Sequence, residues 1–72
     1  MDKVKSTLIF FENIYDPLSF PKLSWIAHKE YTVEFEQPSS YWAKDEAGKL
    51  RGIEKKYEGE LFAKILYKEN KI

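Results

Sequence analysis

Residues 30–57 hold the pattern that most restricts the fold of this chain. Tyr31, Val33 and Phe35 alternate with Thr32, Glu34 and Glu36. A strand here would carry three apolar side chains on one face and the polar set on the other. Gln37-Pro38-Ser39-Ser40 ends that strand, and Tyr41 to Asp45 begins another. Glu46-Ala47-Gly48-Lys49 then turns the chain before a short run from Leu50 to Ile53, with Gly48 suited to positive φ. Strand-length runs joined by tight turns make a β-meander.

Before the meander, Val4 to Glu12 is a further strand candidate. Alternation puts Val4, Ser6, Leu8 and Phe10 on one face and Lys5, Thr7, Ile9 and Phe11 on the other, so both faces become apolar towards the end. A strand covered on both sides is expected, with one exposed aromatic as the functional alternative. Asn13 to His28 is rich in turn formers, including Asp16-Pro17, Ser19, Pro21 and Ser24, yet it also carries Ile14, Tyr15, Leu18, Phe20, Leu23, Trp25 and Ile26. A long loop of that kind either folds back to cap the core or offers Tyr15, Phe20 or Trp25 to a partner.

After the meander, Gly52 sits inside a strand pattern, where glycine marks a bulge, a bend or a close backbone approach. Glu54 to Tyr57 reads as one tight helical turn. The last element is ambiguous. Leu61, Ala63, Ile65 and Tyr67 alternate as in a strand, while Tyr57, Leu61, Phe62, Ile65 and Leu66 share a helical face. A strand is preferred because it can pair with the first one and cover its open edge. Residues 69–72 read as a frayed tail. The expected fold is therefore all-β with five strands, the alternative being α+β, a meander plus a C-terminal helix.

At 72 residues the chain is expected to be a single domain, residues 1–72, near the lower size for a core without staples. It has no cysteine, which excludes disulfides, and 17% aromatic residues, whose large buried areas can take their place. The start lacks an apolar run of signal-peptide length, and no window approaches the ~18 apolar residues of a membrane span. A cytoplasmic protein with no membrane association is expected.

In order along the chain, Tyr15-Asp16-Pro17, Leu23-Ser24, Lys29-Glu30-Tyr31-Thr32-Val33, Tyr41-Trp42, and Gly52-Ile53 followed by Tyr57 resemble the spaced landmarks of a Src-homology-3-like barrel. More closely, residues 29–33, Asp45-Glu46-Ala47-Gly48-Lys49, residues 52–57 and Gly59-Glu60-Leu61-Phe62 are similar to small proteins of Gram-positive bacteria and their phages with that barrel. The resemblance covers roughly Val4 to Ile65. It implies a small five-stranded SH3-like barrel with a long first loop and a short helical turn before the last strand. In groove-forming members it would make Tyr15, Trp42 and Tyr57 the binding residues, although Glu54 stands near the proline expected there.

Chemistry beyond binding finds little support. The single histidine, His28, has no nucleophile spaced to work with it, no glycine-rich phosphate loop exists, and the carboxylates lack a calcium-loop pattern. No enzyme activity, metal or cofactor is expected. Protein binding is the favoured expectation, as by a phage or mobile-element protein that docks on a host protein and modulates it. Its candidates are Tyr15, Phe20, Trp25, Trp42 and Tyr57, with the acidic strand face Glu30, Glu34 and Glu36. The alternative is nucleic acid stacked on Trp42 and held by Lys44, Lys49, Arg51, Lys55 and Lys56 around the second hairpin. Twelve basic and twelve acidic residues cancel, so any such site would be a local patch. The partner is expected to be an unidentified protein, and the chain a monomer or a weak homodimer.

Overall fold

The computed structural model describes residues 3–18 and 22–69. Phe20, a candidate binding residue, and the tail beyond Glu69 lie outside them. Seven strands and one 3-10 turn run in the order β1 (Lys3–Phe10), β2 (Ile14–Tyr15), β3 (Leu23–Trp25), β4 (Glu30–Gln37), β5 (Ser40–Lys44), β6 (Leu50–Glu54), the turn Lys55–Tyr57, and β7 (Phe62–Glu69). Five of them form one sheet in the order β6-β5-β4-β1-β7, and β2 and β3 pair separately. Every pairing between these strands is antiparallel.

The last element is a strand, so the helical alternative falls. Its pairing with β1 runs from Lys3↔Glu69 to Phe10↔Phe62. That register sends Phe62 inward beside Phe10 and leaves Leu61 in the turn before the strand. The turn expected at residues 54–57 is the 3-10 turn, and Gly48 has φ +79°.

The sheet is not closed into a barrel, which corrects one expectation. The last strand does cover one edge of β1, but the two end strands, β6 and β7, do not pair with each other. β6 has only five residues before the chain turns off at Lys55. The gap beside it is faced by the β2–β3 arm.

β4 joins the two halves of the sheet. Glu30 to Thr32 pair with β1, and Val33 to Gln37 pair with β5. Between them lies a bulge: Val33 faces Ala43 while Phe35 faces the next residue, Trp42, so Glu34 is extra. An extra residue reverses the alternation and bends the strand. Tyr31 is buried and Val33 packs on the core, but Phe35 turns to the outside. The single apolar face expected for Tyr31, Val33 and Phe35 is thus broken at Glu34.

The core consists of Leu8, Phe10, Trp25, Tyr31, Tyr41, Ala43, Ile53 and Phe62. Phe10 stacks on Trp25 at 4.9 Å and touches Phe62 at 5.4 Å, and Trp25 meets Tyr31 edge-on at 4.8 Å. Trp25 is therefore a core residue and not an exposed anchor. The loop around it folds back because Ile14 and Tyr15 pair with Trp25 and Leu23. β1 is covered on both faces at Thr7 and Leu8, which are buried on opposite sides, while Lys5 is exposed and Phe11 is the exposed aromatic just beyond the strand.

Polar side chains fix the turns. Asp45 Oδ1 accepts from the N–H groups of Ala47 and Lys49 at 2.9 and 3.0 Å, while Oδ2 takes the Arg51 guanidinium at 3.2 Å. Tyr31 Oη accepts the Ile26 N–H and donates to Glu46, both at 2.7 Å, and Lys29 meets the same Glu46 oxygen at 2.6 Å. On β5, Tyr41 Oη donates to Glu58 at 2.6 Å.

Burial, followed by the Glu46 bond for Tyr31 and the Glu58 bond for Tyr41, pushes both hydroxyls up to about 12 from an ordinary 10.0. A raised folded pKa contributes stability that is complete below the unfolded value and is lost as pH rises through the folded one. Two of the five tyrosines are expected to ionise near pH 12, with folding stability falling between pH 10 and 12. Ultraviolet titration followed alongside circular dichroism checks this; five tyrosines ionising together near pH 10 in the folded chain would contradict it.

Candidate functional site

The gap left by the unclosed sheet is a cleft of about 340 Å³. Phe10, Ile14 and Trp25 line it from the β1 and arm side, Gly52, Ile53 and Glu54 from β6, and Tyr57 and Leu61 from the chain that leads into β7. The Tyr57 carbonyl accepts the N–H of Leu61 at 2.8 Å and of Glu60 at 3.0 Å, which holds Leu61 back against Tyr57. A smaller recess of about 120 Å³, lined by Phe11, Glu12, Ile14, Glu60 and Leu61, shares Ile14 and Leu61 with the first.

Among the described residues, no basic side chain lines either space, whereas Glu12, Glu54 and Glu60 do. Lys56 approaches from outside, meeting Glu54 at 3.4 Å and lying 5.1 Å from the Tyr57 ring centre. Glu54, followed by Tyr57, raises the Lys56 pKa. The combined groove offers an apolar floor and an acidic margin.

A second surface lies on the outer face of β4, β5 and β6. Phe35 stacks on Trp42 at 5.4 Å with the rings 10° from parallel. Trp42 Nε1 donates to Gln37 Oε1 at 3.0 Å and to Ser40 Oγ at 3.1 Å. Its ring lies over Gly52, where a Cβ would come within 2.9 Å of Trp42 Cζ2. The glycine therefore marks a close approach, one of the meanings its strand position allows. Of the pair Tyr41-Trp42, Tyr41 is the core residue and Trp42 is half-buried on the outside.

Gly52→Val follows directly from that contact. Trp42 is held by Phe35 and by two hydrogen bonds, so the added carbons force strain on a packed ring. Overpacking of this kind costs about 1–3 kcal/mol. Urea unfolding is expected to show that loss, and an unchanged midpoint would mean the ring is free to move.

The expected acidic face does not exist as one surface. Across the bulge, Glu36 pairs with the inward Tyr41, while Glu30 stands opposite Ile9 on the other side of the strand. Lys55 binds Glu36 at 2.5 Å and, as the main cause, lowers its pKa. Glu30 accepts the Tyr67 hydroxyl, which is the leading cause of the raised Tyr67 pKa. Glu34 is exposed in the bulge.

The basic group is dispersed as well. Arg51 binds Asp45, Lys55 binds Glu36 and Lys56 binds Glu54. Lys44 and Lys49 are exposed, with no ion pair among the described residues.

Comparison of the chain with protein-family models, curated proteins and solved structures finds no match.

Of the residues expected to bind, Tyr57 and Trp25 line the cleft, the latter from the core. Tyr15 is exposed on the arm, and Trp42 belongs to the outer face. Sequence reading did not single out Ile14, Leu61 or Glu60 as a group. Ile14 and Leu61 share only the signal of an apolar residue kept next to turn formers, which becomes specific only when the arm folds back, and Glu60 carries no signal of its own.

Among the described residues, no three histidine or acidic side chains are placed to hold a metal, and no helix is long and apolar enough to cross a membrane. His28 is an exposed loop residue at φ 64°, a region that histidine enters more readily than most side chains.

Proposed function

We propose that the protein is a small non-enzymatic protein-binding module that docks a segment of another protein in the cleft between the β2–β3 arm and β6. The observation that carries this reading is the joined pair of recesses, apolar in the middle and acidic at the margin. Exposed Phe11 and Leu61 border it, although a domain this small gains stability by burying such residues. The acidic margin favours a partner segment with lysine or arginine beside its apolar side chains.

The strand order, with β4 shared between two halves and a 3-10 turn before β7, supports the Src-homology-3-like reading. Small cytoplasmic proteins of Gram-positive bacteria and phages that dock on a host protein and modulate it are the setting this suggests. Nucleic acid is the weaker reading, since three of the five basic residues are already paired with carboxylates.

A random peptide library selected against the full chain tests the proposal. Selected peptides are expected to carry basic and apolar residues and to lose binding at least about tenfold in Leu61→Glu, a change of about 1.4 kcal/mol, while Trp42→Ala leaves it unchanged. Leu61 is partly exposed, so the substitution spares the core. Loss in Trp42→Ala with none in Leu61→Glu would move the site to the outer face. Salt-sensitive micromolar binding of a single-stranded oligonucleotide would favour the nucleic-acid reading.

A further inference from the structure

The wall that β6 gives to the cleft is also an unpaired strand edge. Antiparallel strands direct the N–H and C=O groups of successive residues alternately to one neighbour and the other. The phase in β6 is fixed at both ends, where Asp45 N–H donates to Lys49 C=O at 2.9 Å and Lys55 N–H donates to Ser39 C=O at 2.9 Å. The intervening pairs Arg51↔Ala43 and Ile53↔Tyr41 keep that phase. Residues 49, 51, 53 and 55 therefore face β5, and Leu50, Gly52 and Glu54 turn their backbone groups away from it. β6 has no second neighbour in the sheet, and no hydrogen bond takes up those backbone groups among the described residues.

Two of these three residues, Gly52 and Glu54, line the cleft. We infer that the edge of β6 is a strand-addition site, which binds an extended segment of another protein as an extra strand beside Leu50, Gly52 and Glu54. This rests on the reading of the cleft as a protein-docking site and states how the docked segment is held.

The geometry also specifies the segment. In antiparallel addition, the partner residue that exchanges hydrogen bonds with Gly52 shares its outer face, beside Trp42. Its two neighbours in the partner then point inward, towards Phe10, Ile14 and Trp25. The segment is thus apolar at alternate positions. It has no proline at the bonding positions, because proline lacks the N–H that the Gly52 and Glu54 carbonyls need. Basic side chains fit its outer face, where Glu54 lies. The absence of a side chain at Gly52 keeps the middle of the edge open to close backbone approach.

The test uses the full isotope-labelled chain and a capped hexapeptide of alternating valine and threonine flanked by lysines. Two further versions of the peptide are N-methylated at alternate residues, in opposite phase. Amide hydrogen exchange at Leu50, Gly52 and Glu54 is expected to slow about tenfold or more with the parent peptide. One N-methylated phase should retain the effect and the other should lose it.

Equal retention in both phases, or shifts at Ile14, Tyr57 and Leu61 without slowing at Gly52 and Glu54, would overturn strand addition and leave the cleft as a docking site. Library peptides that bind only outside the cleft would instead overturn the docking-site reading. Slowing of the same amides at raised protein concentration without any peptide would assign the edge to a second copy of the chain, and so overturn a foreign partner.

Discussion

Phe62→Ala is expected to remove about 3–5 kcal/mol of folding stability, the range for truncating a buried phenylalanine. Phe62 is fully buried, 5.4 Å from the Phe10 ring and 6.0 Å from that of Tyr41, and it joins β7 to both halves of the sheet. At about 0.05–0.15 kcal/mol per residue, a chain of 72 residues has about 4–11 kcal/mol in total. The variant should therefore be largely unfolded at modest urea concentrations or already in water. A loss below about 1 kcal/mol would mean that Phe62 lies outside the core and that the β1–β7 register is shifted, since a slip of one residue exchanges the faces of a strand.

Trp25→Ala is expected to be comparably severe, at about 3–5 kcal/mol. The indole stacks on Phe10 and meets Tyr31 edge-on, so its loss opens a cavity next to the Tyr31, Glu46 and Lys29 network. An exposed anchor residue would behave differently, because surface substitutions change stability by about 0.5 kcal/mol or less. Thermal unfolding together with near-ultraviolet circular dichroism separates the two cases. A stable variant with weakened partner binding would return Trp25 to the surface.

These residues also mark how far the sequence could be read. The strands were legible because alternation and turn residues agree locally, as in Tyr41 to Asp45 followed by Gly48. The strand at Phe62–Glu69 was legible only as a preference, since its apolar spacing suits a helix as well; the pairing with β1 decides it. The bulge at Glu34 was not legible. Tyr31, Val33 and Phe35 keep perfect alternation along the chain, and only the register against Ala43 and Trp42 turns Phe35 outward. That one residue also divides the acidic set, sending Glu36 to Lys55 while Glu30 holds Tyr67.

The same limit applies to the site. Basic residues close together in sequence met separate carboxylates, Arg51 and Lys56 nearby ones and Lys55 the distant Glu36. Ile14 and Leu61, far apart in sequence, became neighbours across one cleft. Trp25 read as loop by its surroundings of serine and proline, and only the aromatic contacts with Phe10 and Tyr31 give it a reason to be buried. Gly52 is partly an exception, since a glycine within a strand pattern pointed to a bulge, a bend or a close approach, and the Trp42 ring decides for the last.

Residue-resolved amide hydrogen exchange of the chain without any ligand tests the central claim most directly. Arg51, Ile53 and Lys55, bonded to β5, are expected to exchange slowly, and Leu50, Gly52 and Glu54 to exchange fast, in strict alternation along the strand. Uniform protection from Leu50 to Glu54 would show the edge already covered, and the cleft could not then receive a strand.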